Sequence, residues 1–186
     1  MISTTQFKNG MILKIDDQPW MIAEHQFVSP GKGGAFTRVK IKNLKTGKFV
    51  ERTFKSGEEF DEVELDRKPA VYLYSDRRNS VFLEKSTNQR ISLPLESTQD
   101  KIQYIKPNTE VNLVYIEGKL ISVDIPIKVE LKVIEAPPSF KGDTATGGLK
   151  KVKLETGLEI NVPVFIEAGE VIRINTETGE YVERAN

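Results

Sequence analysis

Cysteine is absent from this 186-residue chain, and histidine occurs once, at His25. Disulfide frameworks, thiolate metal sites and thiol redox chemistry are therefore excluded, and imidazole catalysis has a single candidate group. His25 lies in the run Glu24-His25-Gln26, where a partly exposed strand position is the expected role. No apolar run approaches the ~20 residues that a membrane helix needs, so no membrane partner is expected. The first residues, Met1 to Phe7, lack the basic and apolar regions of a signal peptide, which points to a soluble, cytoplasmic protein. With no clear carboxylate pair either, no catalytic residue, metal site or cofactor is expected, and an enzyme is the weakest reading.

Net charge is also missing: 27 Lys and Arg balance 27 Asp and Glu. The distribution is uneven, however. Lys32, Arg38, Lys40, Lys42, Lys45, Lys48, Arg52 and Lys55 face only Glu51 within their span, and Glu58, Glu59, Asp61, Glu62, Glu64 and Asp66 follow. Local fields rather than the total attract a polyanion, so the basic segment is read as a phosphate-binding surface. The competing reading is a solvated face, which would ordinarily mix its charges.

The segment Ser29-Pro30-Gly31-Lys32-Gly33-Gly34-Ala35-Phe36 sets one lysine among glycines between two strand-like runs. Pro30 fixes φ and lacks a donor, and each glycine adds to the entropy lost on folding. A hairpin tip carrying Lys32 beyond the protein surface accounts for this composition, as does a merely flexible turn. It is not a phosphate loop of the Gly-x-x-x-x-Gly-Lys-Ser/Thr kind, because Gly33 and Gly34 follow the lysine and the chain then reads as strand. A tip also lacks the desolvated pocket that a nucleophilic lysine needs.

The rest of the chain reads as short strands and turns, an all-β pattern. Val39 and Ile41 fall on one face of a strand over Phe36 to Asn43, with Arg38, Lys40 and Lys42 on the other. In Lys48 to Phe54 the parity is less clean, because Arg52 shares a face with Val50 and Phe54; a bulge or a curled barrel strand is expected there. Asp66-Arg67-Lys68-Pro69 is read as a linker, Glu96 to Asp100 as a helical turn, and Asp124-Ile125-Pro126 as a second boundary. Ile127, Val129, Leu131 and Val133 alternate strictly with charged residues. Turns at Glu155-Thr156-Gly157 and Glu177-Thr178-Gly179 echo Lys45-Thr46-Gly47. Three consecutive small β-barrels are expected, over 1–65, 66–126 and 127–186.

Two segments together resemble the bacterial translation elongation factor P family. Pro30 to Phe36 is similar to that family's N-domain tip. Lys150-Lys151-Val152-Lys153-Leu154-Glu155-Thr156-Gly157 through Val162-Pro163 to Gly169 resembles its C-terminal signature, with Val152 where alanine is usual. Lys141-Gly142-Asp143-Thr144 and Gly179 to Arg184 resemble further landmarks. The resemblance implies an N-terminal SH3-like (KOW-type) barrel followed by two OB-folds. It implies a monomer that binds both ribosomal subunits beside the peptidyl-tRNA, stimulates peptide bond formation and relieves stalling at consecutive prolines, without an active site of its own.

The same resemblance assigns the sites. Lys32, framed by Pro30, Gly31, Gly33 and Gly34, would reach the tRNA acceptor end and be the target of a lysine-modifying enzyme, with a lysyl extension and hydroxylation as the implied chemistry. Arg38, Lys40 and Lys42 would hold tRNA or ribosomal RNA backbone. Gly142, Asp143, Thr144 and Gly147 would lie near messenger RNA in the exit site, and Tyr181 and Arg184 would make a C-terminal RNA contact. The runner-up readings are an elongation factor P-like paralogue and a general single-stranded RNA-binding OB protein. The latter calls for exposed aromatic stacking surfaces, whereas most aromatics here fall at expected core positions.

Overall fold

The computed structural model describes residues 1–139 and 147–185. Strands β1 (Ile2–Ser3), β2 (Ile12–Ile15), β3 (Gln18–Val28), β4 (Phe36–Asn43), β5 (Phe49–Lys55) and β6 (Glu59–Glu62) form one sheet, in the order β1-β6-β2-β3-β4-β5. Strands β7 (Leu65–Ser75), β8 (Asn79–Glu84), β9 (Arg90–Pro94), β10 (Glu110–Ile116) and β11 (Lys119–Asp124) form a second, in the order β11-β10-β7-β8-β9. Helix α1 (Leu95–Ile102) follows β9. Strands β12 (Lys128–Glu135), β13 (Leu149–Leu154), β14 (Glu159–Pro163), β15 (Val171–Asn175) and β16 (Glu180–Arg184) form the third, β14-β13-β12-β15-β16. The protein is all-β, as its residue pattern demands. By its contacts it divides into two compact units, 1–68 with 113–122, and 69–112 with 123–186.

In the first unit, period-two alternation sends Leu13, Ile15, Trp20, Ile22, Val39, Ile41 and Phe54 into one core. Phe54 lies 4.7 Å from Phe60, centroid to centroid, and Phe7 lies 5.9 Å from Phe60. Thr4, buried ahead of Phe7, ties the N-terminal turn to the β5–β6 connection: its Oγ1 donates to the Lys55 carbonyl at 3.2 Å and accepts from Gly57 N at 3.0 Å. A second apolar cluster joins Ile12, Val63 and Ile116, with Met21, Leu44, Leu65 and Ile121 packed against it.

The β4–β5 pairing runs without a register shift from Phe36 opposite Lys55 to Lys42 opposite Phe49. Of the two expectations for β5, a bulge or a curled strand, the bulge is absent; the irregularity sits in β3, between Ile22 and Glu24. Arg52 keeps its inward parity by lying over the Trp20 ring, 5.6 Å from guanidinium carbon to centroid, with Nη1 3.0 Å from Asp16 Oδ2. A long cation thus caps the edge of the core with its stem and keeps its charge in water.

In the second unit, Tyr72 and Phe82 meet at 5.6 Å between centroids, and the buried hydroxyls of Ser80 and Thr98 lie 2.7 Å apart, fastening α1 to β8. The segment Asp66-Arg67-Lys68-Pro69, expected as a linker, is part of β7. Asp66 and Arg67 fall on exposed positions, Lys68 is half-buried with its Nζ 4.6 Å from the Tyr115 ring centroid, and Pro69 contributes only its carbonyl, to Lys85 N at 3.0 Å. The core of the last five strands is Leu131, Val133, Val152, Leu154, Ile160, Val162, Ile166, Ile172 and Ile174, with Tyr104 and Tyr181 packed against it. Ile127, counted with the alternating set, lies outside β12 and is exposed.

The two Thr-Gly turns at Gly47 and Gly179 are built alike. Asn43 Oδ1 accepts from Lys45 N at 2.8 Å and Thr46 N at 3.0 Å, while Gly47 N donates to the Asn43 carbonyl at 2.8 Å. Asn175 Oδ1 accepts from Glu177 N at 2.9 Å and Thr178 N at 3.3 Å, and Gly179 N returns to the Asn175 carbonyl at 2.8 Å. An asparagine four residues before each glycine is therefore part of the turn signal.

Candidate nucleic-acid interface

β3 and β4 form an arm whose ends pair through Val28 opposite Phe36, and the segment from Ser29 to Ala35 joins them. Pro30, Gly31, Lys32, Gly33 and Gly34 are all exposed. Lys32 makes no ion pair with any described residue. Gly33 has φ +111°, a conformation that a side chain disfavours, whereas Gly31 and Gly34 stand in open space. The glycines therefore serve backbone shape and reach, not close packing.

Behind the tip, register sets the charge. Arg38 lies opposite Thr53, Lys40 opposite Glu51 and Lys42 opposite Phe49. Val39 and Ile41 point into the core, so Arg38, Lys40 and Lys42 share the other face. Lys40 Nζ is 3.7 Å from Glu24 Oε1, and both Lys40 and Lys42 bring Nζ to 5.5 Å from the Phe49 centroid. The Arg38 guanidinium is 5.9 Å from the Phe36 ring. Glu24 and Phe49 are members of this face that residue pattern alone did not single out; Phe49 becomes a neighbour of Lys42 only once the turn at Gly47 fixes the pairing. His25, exposed on β3, has Nδ1 2.8 Å from Asn9 Oδ1.

The C-terminal candidates belong to the second unit. Gly142, Asp143 and Thr144 lie outside the described residues; Gly147 is an exposed turn residue. Tyr181 packs against the last core and lines a groove with Tyr104, Leu149 and Pro163. Arg184 is held over the exposed Phe165 ring at 4.8 Å, donates to the Phe165 carbonyl at 3.1 Å, and lies 3.2 Å from Glu170. Most described aromatics are buried or half-buried, and Phe27, Phe49, Tyr74 and Phe165 are exposed. Among the described residues, no group of three or more His, Asp or Glu side chains is placed to hold a metal ion. No helix among them is long and apolar enough to cross a membrane.

Models of three domain families match successive parts of the chain: the elongation factor P KOW-like domain over 3–60, the elongation factor P OB domain over 65–123 and the elongation factor P C-terminal domain over 129–184. Elongation factor P of Moorella thermoacetica is 45% identical over 185 residues, covering 100% of both chains. The chain belongs to the elongation factor P family. Within that family, the relative from Desulforudis audaxviator is 43% identical over 185 residues, again with 100% of each chain covered. Among solved structures, eukaryotic translation initiation factor 5A from Methanococcus jannaschii aligns with a TM-score of 0.51 at 20% identity, over 67% of this chain and 93% of that one. At that identity the likeness speaks for a shared fold, KOW-like and OB barrels in succession.

Proposed function

We propose that this elongation factor P family member binds the ribosome beside the peptidyl-tRNA and stimulates peptide bond formation when consecutive prolines stall it. The observation that carries this reading is Lys32, exposed at the end of a two-stranded arm and unpaired with any described residue, with Arg38, Lys40 and Lys42 on one face behind it. Proline is a hindered nucleophile with restricted geometry, and its peptidyl-tRNA samples unproductive arrangements. A factor that holds the tRNA in place lowers the entropic part of that barrier and supplies neither acid nor base. Lys32 offers a cation at the far end, and the stripe offers phosphate contacts along the flank.

On this reading the factor is an accessory to the ribosome and not an enzyme, acts in the cytoplasm as a monomer, and comprises domains 1–65, 66–126 and 127–186. Lys32 is the site at which a modifying enzyme would lengthen the side chain. A lysine side chain spans roughly 6 Å, and an aminoacyl extension about doubles that reach. The C-terminal loop through Gly147, with Tyr181 and Arg184, would face the messenger side.

Lys32→Ala is the test. In a purified translation system, the variant is expected to fold normally and to lose relief of stalling on a Pro-Pro-Pro template. Wild-type relief by this variant would refute the tip's role. The intact mass of protein from its native host reports which extension, if any, Lys32 carries.

A further inference from the structure

We propose that Phe49 is a stacking surface for an unpaired nucleobase, so that the outward face of β4 and β5 takes single-stranded RNA and not a duplex or an acidic protein. This rests on the reading of the arm as an RNA-binding element and names what one part of it grips.

Four residues of β4, Phe36, Arg38, Lys40 and Lys42, share one face with Lys55, Thr53, Glu51 and Phe49 of β5, each opposite its counterpart. An aromatic ring therefore stands at each end of a run of three cations. Phe49 is 53% exposed at the open start of β5, a strand whose core contribution comes only further along, at Phe54. Lone exposed apolar residues are ordinary on protein surfaces, but Phe49 is not alone. Two ammonium groups approach the same ring at 5.5 Å, and about half of the residue's surface stays exposed.

That pairing of chemistry fits one ligand class. Each base of a single strand offers a π-face to an aromatic ring, and the phosphates on either side offer charge to flanking cations. A duplex withholds its π-faces inside the stack, so it would engage Lys40 and Lys42 and leave the ring unused. An acidic peptide would do the same. Glu24, 3.7 Å from Lys40, holds that ammonium near the ring until a phosphate replaces the carboxylate.

Affinity for a mixed-sequence single-stranded RNA decamer, measured by anisotropy on the full chain across a potassium chloride series, separates the contributions. Phe49→Ala is expected to weaken binding about 5- to 100-fold with the salt slope unchanged, because stacking releases no counterions. Phe49→Trp is expected to restore binding. Lys40→Gln with Lys42→Gln is expected to flatten the slope by about 1.4, the single-strand value for two phosphate contacts. Each variant's thermal melt reports whether its fold is intact. If Phe49→Ala binds like wild type while the lysine variant weakens, the stacking role is refuted and the arm remains an RNA contact. If neither variant changes binding, the arm itself is refuted. Equal affinity for a duplex of the same length, or for polyglutamate, also overturns the assignment.

Discussion

Lys40 Nζ lies 3.7 Å from a carboxylate oxygen of Glu24, so the most central cation of the outward face is partly neutralised by its neighbour strand. Both side chains are largely exposed, at 43% and 74%. The pair is therefore worth little to stability, and its main effect is competition with an incoming phosphate. Glu24→Gln should tighten association with ribosomes or single-stranded RNA by up to about 5-fold at low salt, corresponding to at most ~1 kcal/mol for an exposed pair. The gain should shrink as salt is raised. Titrations at low and physiological ionic strength check this, and a weaker-binding variant would contradict it.

At the tip, Gly33 holds φ +111°, and a Cβ placed there would meet no neighbouring group closer than Pro30 Cγ at 4.0 Å. A β-branched residue there must force the loop into another shape, yet no core contact is lost. Gly33→Val should therefore reduce stimulation of Pro-Pro-Pro synthesis while shifting the melting temperature by no more than a degree or two, in line with exposed substitutions of about 0.5 kcal/mol or less. Parallel translation and melting measurements decide it; equal losses in both would mean the loop is structural.

In the second unit, a Cβ placed on Gly179 would stand 2.9 Å from the Tyr104 hydroxyl, and φ there is +74°. Two costs thus fall on one substitution: a left-handed backbone, about 1–2 kcal/mol for a residue with a side chain, and a collision with the ring's polar end. Gly179→Ala should destabilise by more than the backbone cost alone, and adding Tyr104→Phe should recover part of the loss. Denaturant midpoints of the two single variants and the double variant measure the coupling. Burial and the nearby Asp100 push the Tyr104 hydroxyl above its ordinary pKa, so it stays neutral in this packing at physiological pH.

Asp76 closes the β7–β8 turn by accepting from Arg78 N at 2.7 Å and Asn79 N at 2.8 Å. Those two backbone donors hold its carboxyl below the usual aspartate range. A depressed folded-state pKa gives stability that is present above the unfolded value and is lost as pH falls through the lower folded value. An asparagine keeps the acceptor and does not titrate. Wild type should therefore lose stability relative to Asp76→Asn as pH drops below about 3.9, and the difference should be flat above pH 5. A difference that stays constant down to pH 2 would count against this assignment.

The strands that sequence delimits best are those with one apolar and one polar face. β4 and β15 begin and end where alternation begins and ends, whereas β10 buries the adjacent Leu113 and Val114. β6 is harder to see because Glu59, Asp61 and Glu62 read as a solvated acidic run, with Phe60 alone showing the inward side. The stretch Asp66 to Pro69 looks like a linker for a related reason: charge and proline suggest a break, but the long-range partners that make it strand are invisible locally. The outward grouping of Arg38, Lys40 and Lys42 follows from period two within one strand. Their company with Phe49 and Glu24 depends on registers set by a turn and by a bulge, which no single strand encodes.

The β3 bulge holds one residue more than its partner strand. Ile22 pairs with Ile41, and Glu24 pairs with Lys40, leaving Ala23 as a surplus residue between them. Beyond it, odd-numbered positions of β3 turn inward in place of even ones, with His25 opposite the buried Val39. Deleting Ala23 would make Ile22 and Glu24 consecutive and restore plain alternation, with Glu24 still opposite Lys40 on the outward face, so the surplus residue supplies bend and twist and not charge pattern. A one-codon loss there would straighten the arm and re-aim its tip while leaving the charges of its outward face where they are.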